Sequence, residues 1–236
     1  MTVQAIDAER ARKPVRTLFG WLVYRRISMP LSLRVARTRL LPWQITAAGL
    51  ALGLSGAVLL STGRYELALA GAVLVNVAKV MDAMDGEVAR VKHLDSAAGY
   101  VADGLSDRLR DTAVIAGLGL GAARDGGDTT ALAWTLAAVI GYLLFFYVSA
   151  ATPSHWREIR RSGDVDEKHA FRVTPGVRLG AGDTLAMGVL IFAAIDRPLW
   201  LVGAIAVLAP FAIAVKVRRL FAARPWERED LEEDPG

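Results

Sequence analysis

The chain has 236 residues, no cysteine and only three histidines. Without cysteine there can be no disulfide scaffold, no thiolate zinc site and no cysteine nucleophile. The histidines, His93, His155 and His169, are scattered through predicted connections and make no metal-binding triad. Lysine is also scarce, since arginine outnumbers it by 23 to 5, and this ratio indicates a bacterial genome rich in G and C.

Long charge-free runs are few, although 53% of the residues are apolar and the mean hydropathy is +0.34. Three stretches of about 18 or more residues lack a charge, namely 40–62, 129–152 and 198–215. Three further apolar stretches are interrupted by acids or bases, at about 67–91, 97–122 and 177–195. Each is long enough to cross a hydrocarbon core of roughly 30 Å. We therefore predict an all-α integral membrane protein with six transmembrane helices.

Basic residues concentrate on one side of this layout. Of the 28 Lys and Arg residues, 22 precede the first span, follow the second, connect the fourth to the fifth, or follow the sixth. Only Arg64, Arg124 and Arg197 lie in the opposite connections. The asymmetry predicts a multi-pass protein of the bacterial plasma membrane with both termini in the cytoplasm. The net charge of +4 then follows from topology, and we expect no nucleic-acid partner.

The predicted spans divide the chain into three parts. Residues 1–39 form a cytoplasmic N-terminal segment, residues 40–217 a six-helix membrane domain, and residues 218–236 an acidic, disordered tail. In the first part, apolar residues recur at helical spacing with basic residues between them. The apolar set is Leu18, Trp21, Leu22 and Met29, and the basic set is Arg16, Arg25 and Arg26. This pattern predicts an amphipathic helix on the cytoplasmic face, and a basic flank that only fixes topology is the alternative.

Acidic residues cluster where hydropathy predicts the second and third spans. Six aspartates lie between positions 82 and 111, and a carboxylate at mid-bilayer costs roughly 2.5 to 3.5 kcal/mol. Helical spacing puts one set within an arc of about 140° and a second set on one stripe of the next helix. The first set is Asp82, Asp85, Gly86, Ala89 and Arg90, and the second is Gly99, Asp103, Asp107 and Asp111. Because the connection 93–98 is short, the helices are expected to be antiparallel neighbours whose carboxylates converge near the cytoplasmic surface.

Two interpretations account for such a cluster. In one, Lys79, Arg90, Arg108 and Arg110 neutralise the acids in an ion-pair network, although Arg108 and Arg110 are rotated about 100° and 300° from Asp107 and cannot both serve its stripe. In the other, the carboxylates bind Mg²⁺, Mn²⁺ or Ca²⁺, ions that prefer hard oxygen ligands. Metal ions beside a glycine and an arginine make a place to hold a diphosphate, and the chemistry indicated is metal-assisted phosphoryl transfer.

One pattern resembles a known family. The residues Asp82-Ala-Met-Asp85-Gly86-Glu-Val-Ala89-Arg90, followed by Gly99, Asp103 and Asp107, match the signature of the CDP-alcohol phosphotransferase family at every fixed position. The six-helix layout, the amphipathic helix and the segment Pro-Trp-Gln-Ile-Thr at 42–46 are also similar to those of the family. Trp43 stands where the family often has Asn.

The resemblance implies transfer of a substituted phosphate from a CDP-alcohol, here CDP-diacylglycerol, to the hydroxyl of a polar alcohol, with release of CMP in phospholipid biosynthesis. It implies that Asp82, Asp85, Asp103 and Asp107 bind two Mg²⁺ ions, with Mn²⁺ as the alternative, and that Asp107 is the general base. It also implies that Asp82, Gly86, Ala89 and Arg90 form the nucleotide site. Membrane lipid is the expected surrounding, and a homodimer is a candidate assembly because dimers are common in the family.

Two weaker patterns have competing interpretations. The glycines at 117, 119 and 121 have no strand before them and favour close helix packing over a nucleotide loop. Six basic residues lie within 157–178, and the positive-inside rule alone would explain them. The alternative, by resemblance, is that Arg172 and Arg178 above all bind the phosphate of an acceptor of the inositol phosphate or glycerol phosphate type. Asp111 lies outside the signature and is a candidate for contact with the metal ligands.

Three other functions stay open at this point. The donor could be a soluble CDP-alcohol such as a CDP-polyol, because the motif does not distinguish between donors with different alcohols. Acids inside spans also line ion pathways, so a divalent-cation transporter is an alternative from another class, although Gly86 and Arg90 argue against it. A catalytically silent lipid-binding protein is the third, and the intact acid set argues against that.

Overall fold

The computed structural model describes residues 17–126, 129–151, 170–174 and 177–222. Within these ranges a π-helical segment, Gly20–Tyr24, leads into the first of seven α-helices, and one β-hairpin stands between the fifth and sixth. The elements are α1 Arg25–Val35, α2 Pro42–Leu60, α3 Tyr65–Lys92, α4 Ala97–Gly126, α5 Thr130–Ala151, β1 Ala170–Thr174, β2 Val177–Gly180, α6 Ala181–Ala194 and α7 Pro198–Ala222.

Four helices are long and apolar enough to cross a membrane: α2, α3, residues Thr130–Ala150 of α5 and residues Pro198–Arg218 of α7. The helix α4 has 30 residues, about 45 Å at 1.5 Å per residue, but its charged residues keep it outside this apolar class. The helix α6 is apolar and short. The part of the chain that the structure describes is therefore that of a helical membrane protein with four candidate spans. The helices α4 and α6 lie where the two remaining spans were predicted, and the count of six stays a prediction.

The predicted start of the fifth span at residue 177 is wrong. Residues 177–180 form β2, which pairs antiparallel with β1 so that Phe171 is opposite Leu179. Gly180 is still extended, with φ −71° and ψ 134°, and α6 begins only at Ala181. The physical reason is that the backbone groups of 177–180 form hydrogen bonds with β1 instead of with a helical turn. The helix that remains has 14 residues, about 21 Å.

The helix α1 turns its two serines toward the protein, while Arg26 and Arg34 are exposed. Ser28 and Ser32 are fully buried, whereas Trp21 is 56% exposed and Ile27 is 47% exposed. A helix beside a membrane gains from this arrangement, because its apolar face can contact lipid while its polar face contacts the protein.

Close approaches between helices occur at glycines. A Cβ built on Gly56 of α2 would lie 2.7 Å from the carbonyl oxygen of Gly71 of α3, so the two backbones are in direct contact there. A Cβ on Gly117 of α4 would lie 2.4 Å from the carbonyl oxygen of Ala57. The prediction that the glycines of 117–121 serve helix packing is therefore confirmed.

The helices α3 and α4 both pack along α2 but make few contacts with each other. The short connection 93–98 led us to expect direct packing of α3 against α4. In the structure the two helices are instead held together mainly by their shared contact with α2. On the far side, α4 packs against α5, and α5 against α7, through a core that includes Val114, Phe145 and Val202. The facing surfaces of α3 and α4 keep their polar side chains, and the aspartates lie there.

Candidate active site

Three aspartates from two helices converge at the facing surfaces of α3 and α4. Asp82 of α3 and Asp103 and Asp107 of α4 each offer one carboxylate oxygen, and these three oxygens lie within 4.8 Å of one another. The spacing of four residues on α4 gives Asp103 and Asp107 the same face, one turn apart. Three hard oxygen ligands at this separation suit Mg²⁺ or Mn²⁺, so the donor set fits the predicted ions.

Asp85, the fourth predicted ligand, lies one turn further along α3 and is outside this group of three. Its side chain is buried, and its Oδ2 accepts a hydrogen bond from Thr46 Oγ1 of α2 at 2.6 Å. Thr46 belongs to the segment 42–46, which is similar to that of the family, but the sequence indicated no role for this residue. The contact ties the start of α2 to the acid cluster.

Two cations lie among the acids. Lys79 Nζ is 2.7 Å from Asp82 Oδ2, and Arg110 Nη1 is 3.3 Å from Asp82 Oδ1. Arg110 also donates through Nη2 to Asp107 Oδ1. The sequence left open whether these acids form ion pairs or bind a metal. The structure shows ion pairs within the same cluster of carboxylates that can hold a metal. A divalent cation that binds here competes with Lys79 and Arg110 for the same carboxylates.

Arg108 and Arg110 of α4 point in different directions, as their rotation about the helix predicted. Arg110 is buried among the acids and lies over Gly53 of α2, where a Cβ would come within 2.5 Å of Arg110 Cγ. The Arg108 guanidinium carbon lies 3.4 Å from the ring centroid of Phe146 on α5. Only Arg110 therefore contributes to the cluster, and Arg108 contributes to the packing of α4 on α5.

Asp111 holds Arg110 at Nε, the nitrogen that Asp82 and Asp107 do not contact. Its Oδ1 accepts a hydrogen bond from Arg110 Nε at 3.3 Å, and its Oδ2 accepts one from the hydroxyl of Tyr142. The side chain of Asp111 is buried, so both of its oxygens are satisfied by protein. Asp111 thus contacts a partner of Asp82 and Asp107, and it orients that partner.

Asp183, near the start of α6, connects the cluster to the N-terminal segment. Its Oδ2 accepts a hydrogen bond from Thr17 Oγ1 at 2.7 Å, and its Oδ1 is 3.9 Å from Lys79 Nζ. The same region of α3 is contacted by Tyr24, which donates to Asn76 Oδ1 at 2.8 Å. Burial raises the pKa of Tyr24, so its hydroxyl stays protonated and remains a donor. The sequence reasoning missed Asp183, although an acid inside an apolar stretch was a signal for it.

The residues assigned by resemblance to the nucleotide site follow the acids on α3. Gly86, Ala89 and Arg90 are half-buried. A Cβ built on Gly86 would lie 3.3 Å from Arg90 Nη1, so the guanidinium group rests beside the glycine one turn earlier. A glycine and a guanidinium group side by side offer an open backbone and a planar pair of donors.

A model of the CDP-alcohol phosphatidyltransferase family matches residues 39–163, which is more than half of the chain. The chain belongs to this family. The resemblance inferred from the aspartate motif is thereby confirmed, and all of the motif lies within the matched range. The chain is accordingly a member of a family of CDP-alcohol phosphotransferases.

One curated relative is the bifunctional IPC transferase and DIPP synthase of Rubrobacter xylanophilus. It is 40% identical over 113 residues, which is 48% of this chain and 24% of the relative. The chain therefore spans about a quarter of the length of that protein. The similarity therefore covers about half of this chain and leaves most of the relative unmatched.

Solved structures of Mycobacterium tuberculosis phosphatidylinositol phosphate synthase (PgsA1) share the fold. The structure with CDP-DAG bound has a TM-score of 0.64 and 21% identity, and the match covers 83% of this chain and 94% of that one. The complex with manganese and citrate has a TM-score of 0.61 and 21% identity, with coverage of 81% and 88%. At this identity the likeness concerns the fold of the family.

The basic residues predicted to bind the acceptor fall on the hairpin and in the segment before it. Arg172 of β1 pairs with Arg178 of β2 in the strand register, so the two positions are directly opposite each other. Residues that are opposite in an antiparallel pair share a face of that pair. The other basic positions of the run, 157, 160, 161 and 168, lie outside the described residues, as does the tail from 223 onward.

Proposed function

We propose that the protein transfers a substituted phosphate group from CDP-diacylglycerol to the hydroxyl of a polar alcohol, with Mg²⁺ as cofactor and CMP as the released product. The observation that carries this proposal is the convergence of Asp82, Asp103 and Asp107, which family membership associates with CDP-alcohol chemistry. The reaction would supply phospholipids to the bacterial plasma membrane, with both termini of the chain in the cytoplasm.

Asp82, Asp85, Asp103 and Asp107 would hold the metal. Two Mg²⁺ ions bound there would polarise the diphosphate and stabilise the negative charge on the leaving oxygen, and Mn²⁺ would serve in their place. Thr46 would orient Asp85 through the hydrogen bond at 2.6 Å. The PgsA1 complex with manganese supports a divalent ion in this fold.

Asp107 would accept the proton of the attacking hydroxyl. In this step the acceptor oxygen bonds to the phosphorus that carries the alcohol, the bond from that phosphorus to the bridging oxygen breaks, and CMP leaves. The contact with Arg110 Nη2 fixes the carboxylate of Asp107 in one orientation. Asp111 would support the base indirectly, because it holds Arg110 through Nε.

The donor nucleotide would be bound by Asp82, Gly86, Ala89 and Arg90. The guanidinium of Arg90 lies beside Gly86, so a phosphate that approaches the open backbone would meet two donors in a plane. The neighbouring fold with CDP-DAG bound supports a CDP-alcohol as the occupant of this region.

The acceptor would carry a phosphate, as inositol phosphate and glycerol phosphate do. The register that sets Arg172 opposite Arg178 supports this, because it brings two basic positions together on the hairpin. The hairpin runs directly into α6, whose Asp183 contacts Lys79 in the cluster. An anion bound at the hairpin would thus lie on the element that leads to the reacting groups.

A soluble CDP-alcohol such as a CDP-polyol is the second candidate donor. It carries the same cytidine diphosphate as the lipid donor, so Asp82, Gly86, Ala89 and Arg90 would bind either of them. A divalent-cation transporter is disfavoured by Lys79 and Arg110, because fixed positive charges within 3.3 Å of Asp82 oppose the passage of a cation.

The test is release of CMP from purified protein in lipid nanodiscs. CDP-diacylglycerol and a CDP-polyol are each incubated with Mg²⁺ and a panel of acceptors that includes inositol phosphate, glycerol phosphate and the unphosphorylated alcohols. We expect release only with the lipid donor, a phosphorylated acceptor and the metal, and EDTA should stop it. Release only with the CDP-polyol would replace the first proposal by the second. Ion uptake into proteoliposomes without any CMP release would contradict both.

A further inference from the structure

A buried carboxylate lies inside the motif segment, at a position that the family signature does not specify. Glu87 of α3 is 0% exposed. Its Oε1 accepts hydrogen bonds from Arg25 Nη1 at 2.7 Å and Ser28 Oγ at 2.9 Å, and its Oε2 accepts one from Ser32 Oγ at 2.6 Å. Both oxygens are thus satisfied by α1, whereas an unpaired carboxylate at this depth would be strongly destabilising.

The three donors make one continuous face of α1. Arg25, Ser28 and Ser32 are three and four residues apart, the spacing of side chains that share a helix face. That face is turned inward, whereas Trp21 and Ile27 are exposed. A helix that only anchored the chain to the membrane would need no such match to a single carboxylate, so the contact joins α1 to one particular turn of α3.

That turn carries the residues assigned to the nucleotide. Glu87 directly follows Gly86 and comes three residues before Arg90, and the Arg90 guanidinium rests beside Gly86. Glu87 lies about 100° around the helix from Gly86 and about 60° from Arg90, so α1 approaches α3 next to this surface without covering it. A rotation of the turn would move Gly86 and Arg90 together.

The C-terminal end of the same segment has a second attachment. Lys92 Nζ donates to the carbonyl oxygens of Thr38 at 2.8 Å and Leu40 at 2.6 Å, in the connection between α1 and α2. The chain from residue 25 to residue 40 therefore holds α3 at Glu87 and again at Lys92. Gly86 and Arg90 lie within or beside this doubly held stretch.

We propose that Glu87 is a positioning residue for the nucleotide site, and that α1 fixes the turn of α3 that binds the cytidine diphosphate. The inference rests on the proposed function, which assigns the nucleotide to this turn. Glu87 touches no substrate itself. Its bonds with α1 set the rotation of α3, and a shift of about 1 Å in Arg90 would weaken binding of the diphosphate.

The experiment compares the wild type with Glu87→Gln, Ser32→Ala and the double variant Ser28→Ala/Ser32→Ala. Glu66→Gln is the matched control, because Glu66 is an exposed acid in the first turn of the same helix. Three quantities are measured in nanodiscs: the Kd of CMP by calorimetry, the KM and kcat of CMP release with CDP-diacylglycerol, and the melting temperature. The serine variants remove one or two of the donors and keep the ion pair with Arg25, so they remain available if Glu87→Gln fails to fold.

We expect the Kd of CMP and the KM of the donor to rise on the order of tenfold in Glu87→Gln and the double serine variant, with kcat changed less than threefold. Ser32→Ala should show a smaller rise in the same direction, and Glu66→Gln none. A lower melting temperature with unchanged Kd and KM in folded variants would overturn the inference, because Glu87 would then serve stability alone. If the wild type neither binds CMP nor releases it, the proposed function falls and this inference with it. If the wild type binds and releases CMP and the variants have the same Kd and KM, the proposed function stands and only the Glu87 inference falls.

Discussion

Lys79 and Asp82, one turn apart on α3, form an ion pair of 2.7 Å inside the aspartate motif. Lys79 Nζ is also 4.0 Å from Asp107 Oδ1 and 3.9 Å from Asp183 Oδ1. A single buried ammonium group thus faces carboxylates from α3, α4 and α6. The protein carries its own cation at the edge of the site where a divalent ion is proposed to bind, so stability and metal binding must be linked through it.

The first prediction follows from this link. Lys79→Met keeps the length of the side chain and removes its charge, which leaves Arg110 as the remaining partner of Asp82 and Asp107 and should cost about 3 kcal/mol in the metal-free protein. A divalent cation would restore the missing charge, so Mn²⁺ should raise the melting temperature of the variant more than that of the wild type. The measurement is a thermal melt in detergent with EDTA and with Mn²⁺.

Lys92→Met is the control for that melt. Lys92 is a lysine of the same helix that donates to two backbone carbonyls outside the acid cluster. Its replacement should leave the difference between the EDTA and Mn²⁺ melting temperatures as it is in the wild type. An equal Mn²⁺ effect in Lys79→Met and the wild type would contradict the linkage.

The second prediction concerns the proposed base. Asp107→Asn removes the proton acceptor but keeps the shape of the side chain, so CMP release should fall by roughly 10² to 10⁴ while the protein still folds. Asp125→Asn, an exposed change near the far end of the same helix, should be fully active. Initial rates at saturating Mg²⁺ and donor are the measurement. An Asp107→Asn protein with more than a tenth of wild-type activity would exclude Asp107 as the base.

How far the site could be predicted depended on whether its partners share a helix. Helical spacing alone aligned Asp103 with Asp107, and the structure brings both to Asp82. The hydrogen bond between Thr46 and Asp85 joins residues 39 apart in the chain, and periodicity within a helix carries no information about such a pair. The contacts of Glu87 could not be predicted for the same reason, because its partners lie on another helix, 55 to 62 residues earlier.

The hairpin was missed for a different reason. Residues 177–180, Val-Arg-Leu-Gly, are too few to distinguish a strand from the first turn of a helix by periodicity, and the apolar residues after them extended the predicted span backward. The sequence Pro-Gly at 175–176 is of a kind typical of turns, and it was the available signal for two short strands. The six helical segments were predictable because apolar residues and glycine make up most of each one, even where acids and bases interrupt them in α3 and α4.

The third prediction tests the packing of Arg110. Gly53→Ala would bring a Cβ within 2.5 Å of Arg110 Cγ, so the arginine must shift away from Asp82 and Asp107. We expect a loss of about 1 to 3 kcal/mol in stability together with reduced CMP release. Gly203→Ala in α7 is the control, since nothing lies within 4 Å of its new Cβ and alanine favours a helix. A variant at position 53 as stable and active as Gly203→Ala would show that Arg110 has room to move without consequence.

The fourth prediction concerns the orientation in the membrane, and the absence of native cysteine makes it accessible to single-cysteine labelling. The distribution of Lys and Arg predicts that the turn between α3 and α4 faces the cytoplasm and that the turn between α4 and α5 faces outward. Ala98 and Thr129 are exposed positions at these two turns. In intact cells a membrane-impermeant maleimide should label Thr129→Cys and leave Ala98→Cys unlabelled, and permeabilised cells should show both labelled. The opposite pattern would move the acid cluster to the outer side of the membrane, where a cytoplasmic CDP-alcohol could not reach it.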